Sequence, residues 1–182
     1  MAQRQTTAQD GRIYLPDLVV STGMQVSPAR IYGVLADLAT HPIWAGSMHG
    51  KKNFGLLTLD APEGAAAVGT EFRSTGIDPM GSFSDRSVVT EATGPLVFEI
   101  VTEGHLVPKR ASKPACDTTI TYRFEIAADD AGSRITYRLH LSRWTNAPTL
   151  LRAKALQPIA RMAMKSYAKK MLRNLTTYAS EH

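Results

Sequence analysis

Few residues in this 182-residue chain could do chemistry, and they are widely spaced. The five histidines are His41, His49, His105, His140 and His182. No two stand at a spacing that would let one helix face hold a metal, and Cys116 is the lone cysteine. A structural metal needs about four ligands in tight geometry, so none is expected. Cys116 precedes a strand and carries no nucleophile signature; it reads as a buried or idle thiol. The chain lacks a Gly-x-Ser-x-Gly elbow, a phosphate-binding loop and a dinucleotide fingerprint. Hydride transfer and nucleotide hydrolysis are therefore set aside, and no cofactor is expected.

Tyr122 and Tyr137 are better candidates. Each falls mid-strand on the apolar side, where a buried hydroxyl needs a polar partner. Either the hydroxyls bond to each other, to backbone or to water, or they meet a ligand carbonyl or phenol. In the second case tyrosine serves as the acid, with His49 or His105 as a base at a pocket mouth. Arg73 and Arg86 are possible oxyanion stabilisers. Phe72 is the better inward residue, so Arg73 should point outward. Val88 and Val89 both look apolar, which leaves the side of Arg86 open. Trp44 invites stacking on a ligand, but its large area and single donor suit a core plug better.

These residues must be held by elements whose signals are clear. Residues 1–16 read as a flexible tail and 17–180 as one domain. An extended segment from Asp17 to Val26 comes first. Ser27 and Pro28 then open a helix carrying Ile31, Val34, Leu35 and Leu38 at helical spacing. It should end near Thr40, because Pro42 disfavours helical geometry at His41. A short helical turn is expected around Ile43 and Trp44.

After that the apolar period becomes two. Strands are expected over Met48–Leu59, Gly69–Thr75, Phe83–Glu91, Leu96–Glu103, Thr118–Ala127 and Arg134–Arg143. Short turn-rich links favour antiparallel hairpins. In the last two strands, even residues 120–126 and odd residues 135–141 are apolar, so these should face the interior. The final segment, Pro148 to about Ser180, reads as a long helix with a kink or break at Pro158. Leu156, Ala160, Ala163, Met164, Tyr167, Met171, Leu175 and Tyr178 form its apolar stripe. One such helix cannot cover seven flat strands. The expected fold is therefore α+β, of the helix-grip type. A curved seven-stranded antiparallel sheet surrounds a long C-terminal helix, with two short helices after the first strand and a hollow between sheet and helix.

The apolar fraction of 43% and charged fraction of 20% are ordinary for a globular domain. The polar stretch Met1 to Gly11 shows no signal-type apolar run, and nothing approaches eighteen apolar residues. A cytoplasmic location is expected. The net charge is +5. Between Thr149 and Ala179 lie Arg152, Lys154, Arg161, Lys165, Lys169, Lys170 and Arg173, with no acid. Most fall opposite the apolar stripe. They form either the solvated back of a packed helix or a patch for anionic membrane. No aromatic-basic stacking pattern accompanies them, so nucleic acid is not expected.

Six segments carry a family resemblance. Ser27-Pro28-Ala29-Arg30-Ile31-Tyr32, Leu35-Ala36-Asp37-Leu38 and His41-Pro42-Ile43-Trp44 together resemble the opening of the bacterial polyketide cyclase/dehydrase-like family of the START-like (SRPBCC) superfamily. Val68-Gly69-Thr70-Glu71-Phe72-Arg73 is similar to that family's glycine-threonine strand start. Val89-Thr90-Glu91 through Gly94-Pro95-Leu96-Val97-Phe98 resembles its central hairpin, and Gly132-Ser133-Arg134-Ile135-Thr136 is similar to its penultimate turn. The resemblance runs from about Asp17 to Tyr178. It implies a shared fold and a deep cavity, with members that include aromatase/cyclases and lipid or quinone carriers. No family-wide catalytic motif carries across. The segment from His105 to Asp117, with Lys109, Arg110 and Lys113, looks longer than the usual link and either shapes the pocket mouth or forms a surface loop.

The leading expectation is a protein that binds a small hydrophobic ligand (lipid, quinone, polyketide or aromatic) in that cavity. Trp44, Phe72, Phe98, Tyr122, Phe124, Tyr137 and Leu139 should line it, with Leu156, Ala160, Met164 and Tyr167 closing it from the helix. The alternative is a cofactor-independent, aromatase-like cyclase or dehydratase using Tyr122, Tyr137, His49 or His105. A third is an interaction module with the basic helix face on an anionic membrane or partner. Monomer and homodimer both remain open.

Overall fold

Ser27 and Pro28 start the first helix for simple reasons. The Ser27 hydroxyl accepts from the Arg30 backbone N–H at 3.4 Å, and Pro28 sits where a missing N–H costs nothing. The computed structural model describes residues 17–45, 55–78, 80–147 and 157–182. The tail expected at residues 1–16 thus lies outside the described residues. Helix α1 (Pro28–Ala36) buries Ile31, Leu35 and Ala36. Extended Asp37 ends it, and a 3-10 turn (Leu38–Thr40) leads into α2 (His41–Trp44).

Here the sequence expectation fails in detail. The first helix stops at Ala36, and His41 is helical, with φ −56° and ψ −40°. The pre-proline preference is overridden because the buried His41 ring is tied to the Leu35 carbonyl at 2.8 Å. Pro42 then occupies the first turn of α2, a position proline suits.

The strands are β1 (Leu18–Met24), β2 (Gly55–Asp60), β3 (Glu71–Ile77), β4 (Gly81–Thr93), β5 (Val97–Pro108), β6 (Cys116–Asp129) and β7 (Gly132–Trp144). They form one curved seven-stranded sheet in the order β1-β7-β6-β5-β4-β3-β2, with every neighbouring pair antiparallel. The long C-terminal helix α3 (Gln157–Glu181) packs against β1, α1 and α2. This is the helix-grip arrangement. Much of the segment from His105 to Asp117 is strand: β5 continues to Pro108 and β6 begins at Cys116.

Helix α3 buries Ala168, Met171, Leu172, Leu175 and Ala179. The stripe read from the sequence included Ala163, which is exposed, and omitted Ala168, Leu172 and Ala179. Small alanines carry little hydrophobic signal, yet they let α3 lie close to its neighbours. Two links set its pitch. The Arg30 guanidinium donates to the Ala179 carbonyl at 2.8 Å, and the Tyr167 hydroxyl donates to the Ala45 carbonyl at 2.9 Å. Pro158 is the second residue of the described helix; the kink or break expected there involves residues 148–156, which lie outside the described residues. No helix among the described residues is long and apolar enough to cross a membrane.

Candidate functional site

Strand parity divides the sheet into two faces. In β6 the even residues Tyr122, Phe124 and Ile126 point inward, and in β7 the odd residues Ile135, Tyr137 and Leu139 meet them, as the alternation requires. The inner face then divides along its length. At one end Phe98, Ile126, Ile135, Leu35, Leu172 and Leu175 pack into a solid core. At the other end a cavity of about 490 Å³ remains between the sheet, α2 and α3.

Most of the expected lining residues reach this cavity. Trp44, Phe72, Tyr122, Phe124, Tyr137 and Leu139 form its inner wall, and Met164 and Tyr167 close it from α3. Trp44 is both plug and wall. Its indole N–H donates to the Thr40 hydroxyl at 3.0 Å, and its ring meets Phe124 edge-on with centroids 6.2 Å apart. Phe98 does not join the lining. It is fully buried in the solid core, edge-on to Tyr32 at 6.1 Å. Ala160 is half-buried one helical turn beyond Met164, away from the lining. Leu156 and His49 lie outside the described residues.

His105 borders the cavity, but alternation with inward Gly104 and Leu106 turns its ring to the outer face. There Nδ1 meets an Asp117 carboxylate oxygen at 2.8 Å. Arg73 is exposed as expected. Arg86 is also on the outer face, paired with Glu71. Cys116 is a buried thiol directed at the Asn146 carbonyl. Arg161, Lys165, Lys169, Lys170 and Arg173 occupy exposed positions of α3; Arg152 and Lys154 lie outside the described residues.

The sequence missed the cavity's polar end. Ser74, Asp85, Gly104, Thr118 and Trp144 are successive cross-strand partners from β3 to β7, and all five line the cavity. The adjacent row, Phe72, Ser87, Thr102, Ile120 and Leu141, also lines it. Ser87 and Thr102 satisfy each other at 2.8 Å. Gly104 makes room in the first row. A methyl group added there would lie 2.8 Å from Asp85 Oδ1 and 2.7 Å from Thr118 Oγ1. Those two oxygens therefore flank the space over the bare glycine backbone. The Trp144 indole N–H is buried without a hydrogen-bond partner among the described residues.

The protonation states follow from burial. Asp85 is pushed up from 3.8 to about 6, by loss of water first and by nearby Asp78 second. Tyr122, Tyr137 and Tyr167 are all raised by burial, and the Asp85 charge further opposes ionisation of Tyr122. These phenols stay neutral and offer hydroxyl groups. His41 is lowered to about 4, because burial outweighs the Leu35 carbonyl and Asp37. It is a neutral ring at pH 7, and Nε2 carries the proton it donates to Leu35. No lysine or arginine lines the cavity among the described residues, and no metal-type cluster occurs among them.

No protein-family model matches the chain, and no curated protein sequence does either. Solved structures do. A protein of Rhizobium leguminosarum aligns with a TM-score of 0.64 at 12% identity, covering 92% of this chain and 95% of that one. A protein of Nitrosomonas europaea gives 0.60 at 14%, covering 91% and 94%. A protein of Chromobacterium violaceum gives 0.58 at 10%, covering 88% and 95%. At such identities the likeness is one of fold: this chain shares with these bacterial proteins a seven-stranded antiparallel sheet closed by a C-terminal helix.

Proposed function

We propose that the protein binds a small hydrophobic molecule in the cavity between sheet and helix. The carrying observation is the cavity itself, whose volume of about 490 Å³ falls inside the usual range for ligand sites, about 300–1,000 Å³. Its walls are largely aliphatic and aromatic, so affinity comes from buried apolar area. The free Trp144 N–H and the open Tyr122 and Tyr137 hydroxyls supply a few orienting contacts. Membership of the polyketide cyclase/dehydrase-like SRPBCC family, which its sequence motifs resemble, fits the same use.

A neutral fluorescent probe, N-phenyl-1-naphthylamine, tests this. The purified chain should bind it saturably, and Leu141→Trp, which fills the cavity, should weaken binding by about tenfold or more. Absence of binding, together with an empty cavity in native mass spectrometry, would sink the reading.

A second reading is favoured by one observation: Asp85, poised near neutrality, shares a cavity with the Tyr122 hydroxyl. That pair suits proton abstraction beside a carbonyl, with the carboxylate as base and the phenol bonded to the carbonyl oxygen. The reaction class is cyclisation or dehydration of a poly-β-ketone chain. Asp85→Asn and Tyr122→Phe should then change the product profile toward the spontaneous one. Wild-type products identical to the uncatalysed background exclude catalysis.

A further inference from the structure

We infer that the polar end of the cavity receives a cationic amine with Asp85 as its counter-charge, so that the preferred ligands are small hydrophobic amines. This rests on the cavity being a hydrophobic-ligand site and adds the chemistry of the head group.

Asp85 differs from the ion-paired carboxylates of the sheet in what surrounds it. Glu71, Glu91, Glu99, Glu125 and Asp129 each meet an arginine, and Asp17 and Asp117 each meet a histidine. Asp85 faces an apolar cavity, with no cation among the described lining residues despite a chain charge of +5. The ionisable groups around it are Asp78, also acidic, neutral His41, and the phenols of Tyr122, Tyr137 and Tyr167. His105, the remaining one, is bonded to Asp117 on the other face. A half-buried carboxylate with no cation among the described lining residues is destabilised, and a ligand cation would relieve it.

The geometry suits an ammonium in particular. Such a group has three donors and no acceptor, so it needs several acceptors converging on one point. Gly104 allows this by letting the Asp85 carboxylate and Thr118 hydroxyl close over it. Ser74, the cross-strand partner of Asp85, adds a third oxygen on the same row. Aromatic rings at Phe83, Tyr122 and Trp144 line the same cavity and tolerate a cation at their faces. A ligand carboxylate would instead meet Asp78 and Asp85 as like charges.

Three ligands of one shape test the head group: 2-(1-naphthyl)ethylamine, 2-(1-naphthyl)ethanol and 1-naphthylacetic acid. Each is measured at neutral pH by displacement of N-phenyl-1-naphthylamine from the full chain. The amine should bind about tenfold tighter than the alcohol, with the acid weakest. In Asp85→Asn the amine's advantage should vanish while the alcohol keeps its affinity within about threefold. Gly104→Ala, whose methyl must push the carboxylate and Thr118 aside, should shrink the advantage too. Equal binding of the three, or an amine preference that survives Asp85→Asn, overturns the inference. Probe binding without head-group selectivity leaves the hydrophobic cavity standing and removes only the amine. Loss of probe binding in the wild type removes both.

Discussion

The two faces of the same sheet treat carboxylates in opposite ways. On the outer face the Arg123 guanidinium is held by Glu91, Glu99 and Glu125, and Arg138 bonds Glu125 again. Arg86 with Glu71 and Arg134 with Asp129 continue the pattern. On the inner face Asp85 looks into an apolar cavity with no cation among the described lining residues. Water screens the outer pairs, so each contributes little. The inner carboxylate sits where pairing matters most and has no cation beside it among the described residues. Stability alone would reverse that distribution. That departure from what stability favours is what the proposed ligand site would produce, because local rules of stability tend to be broken at sites of function.

The largest expected effect comes from neutralising Asp85. Its carboxyl is harder to ionise when folded, rising from 3.8 to about 6. The resulting penalty is absent below pH 4, grows between about 4 and 6, and is complete above. Asp85→Asn should therefore stabilise the free protein above pH 6 by on the order of 2 kcal/mol, and hardly at all at pH 4. His41 works in the other direction. Its folded value of about 4, against 6.5 unfolded, favours the fold above 6.5 and loses that benefit as pH falls toward 4. In the wild type the two slopes oppose each other between pH 4 and 6. In Asp85→Asn the opposing slope is gone, so stability should rise with pH across that window. Urea unfolding at several pH values measures both. A variant no more stable than wild type at pH 7 would erase the contrast between the faces.

The same contrast explains what was legible in the sequence. The fold was readable because inward positions of β6 and β7 are apolar without exception from 120 to 126 and 135 to 141. The apolar wall of the cavity followed from it. The polar end did not, because β4 hides its parity. Its register shifts between Val89 and Glu91, so adjacent Val88 and Val89 obscure which side faces inward. Taking Val89 as the inward residue would have sent Phe83, Asp85 and Ser87 inside and Arg86 out. Gly104 was a second signal. A glycine inside a strand marks a close approach, and here the neighbours are two cross-strand oxygens. Phe98 was misplaced for a different reason: alternation tells which face a residue takes but not where the cavity ends along that face. The helix stripe missed Ala168, Leu172 and Ala179 because it followed the edge marked by Ala160, Ala163 and Tyr167, whereas the buried face is centred on 168, 171, 172, 175 and 179.

The outer face supplies the smaller and more discriminating test. Arg123→Ala leaves three carboxylates, Glu91, Glu99 and Glu125, crowded around a lost cation. It should destabilise by about 1 kcal/mol at low ionic strength. Arg86→Ala breaks one pair whose side chains are 51% and 56% exposed, and should cost less than Arg123→Ala does. Salt should shrink both losses, since both lie within reach of solvent ions. The stabilisation from Asp85→Asn should respond far less, because its main cause is missing water rather than a neighbouring charge. Thermal melts of the three variants at low and high salt separate the cases. A salt response at Asp85 equal to that at Arg123 would mean that both faces are governed by the same solvent-screened electrostatics. The reading of Asp85 as a desolvated, ligand-awaiting carboxylate would then lose its physical basis.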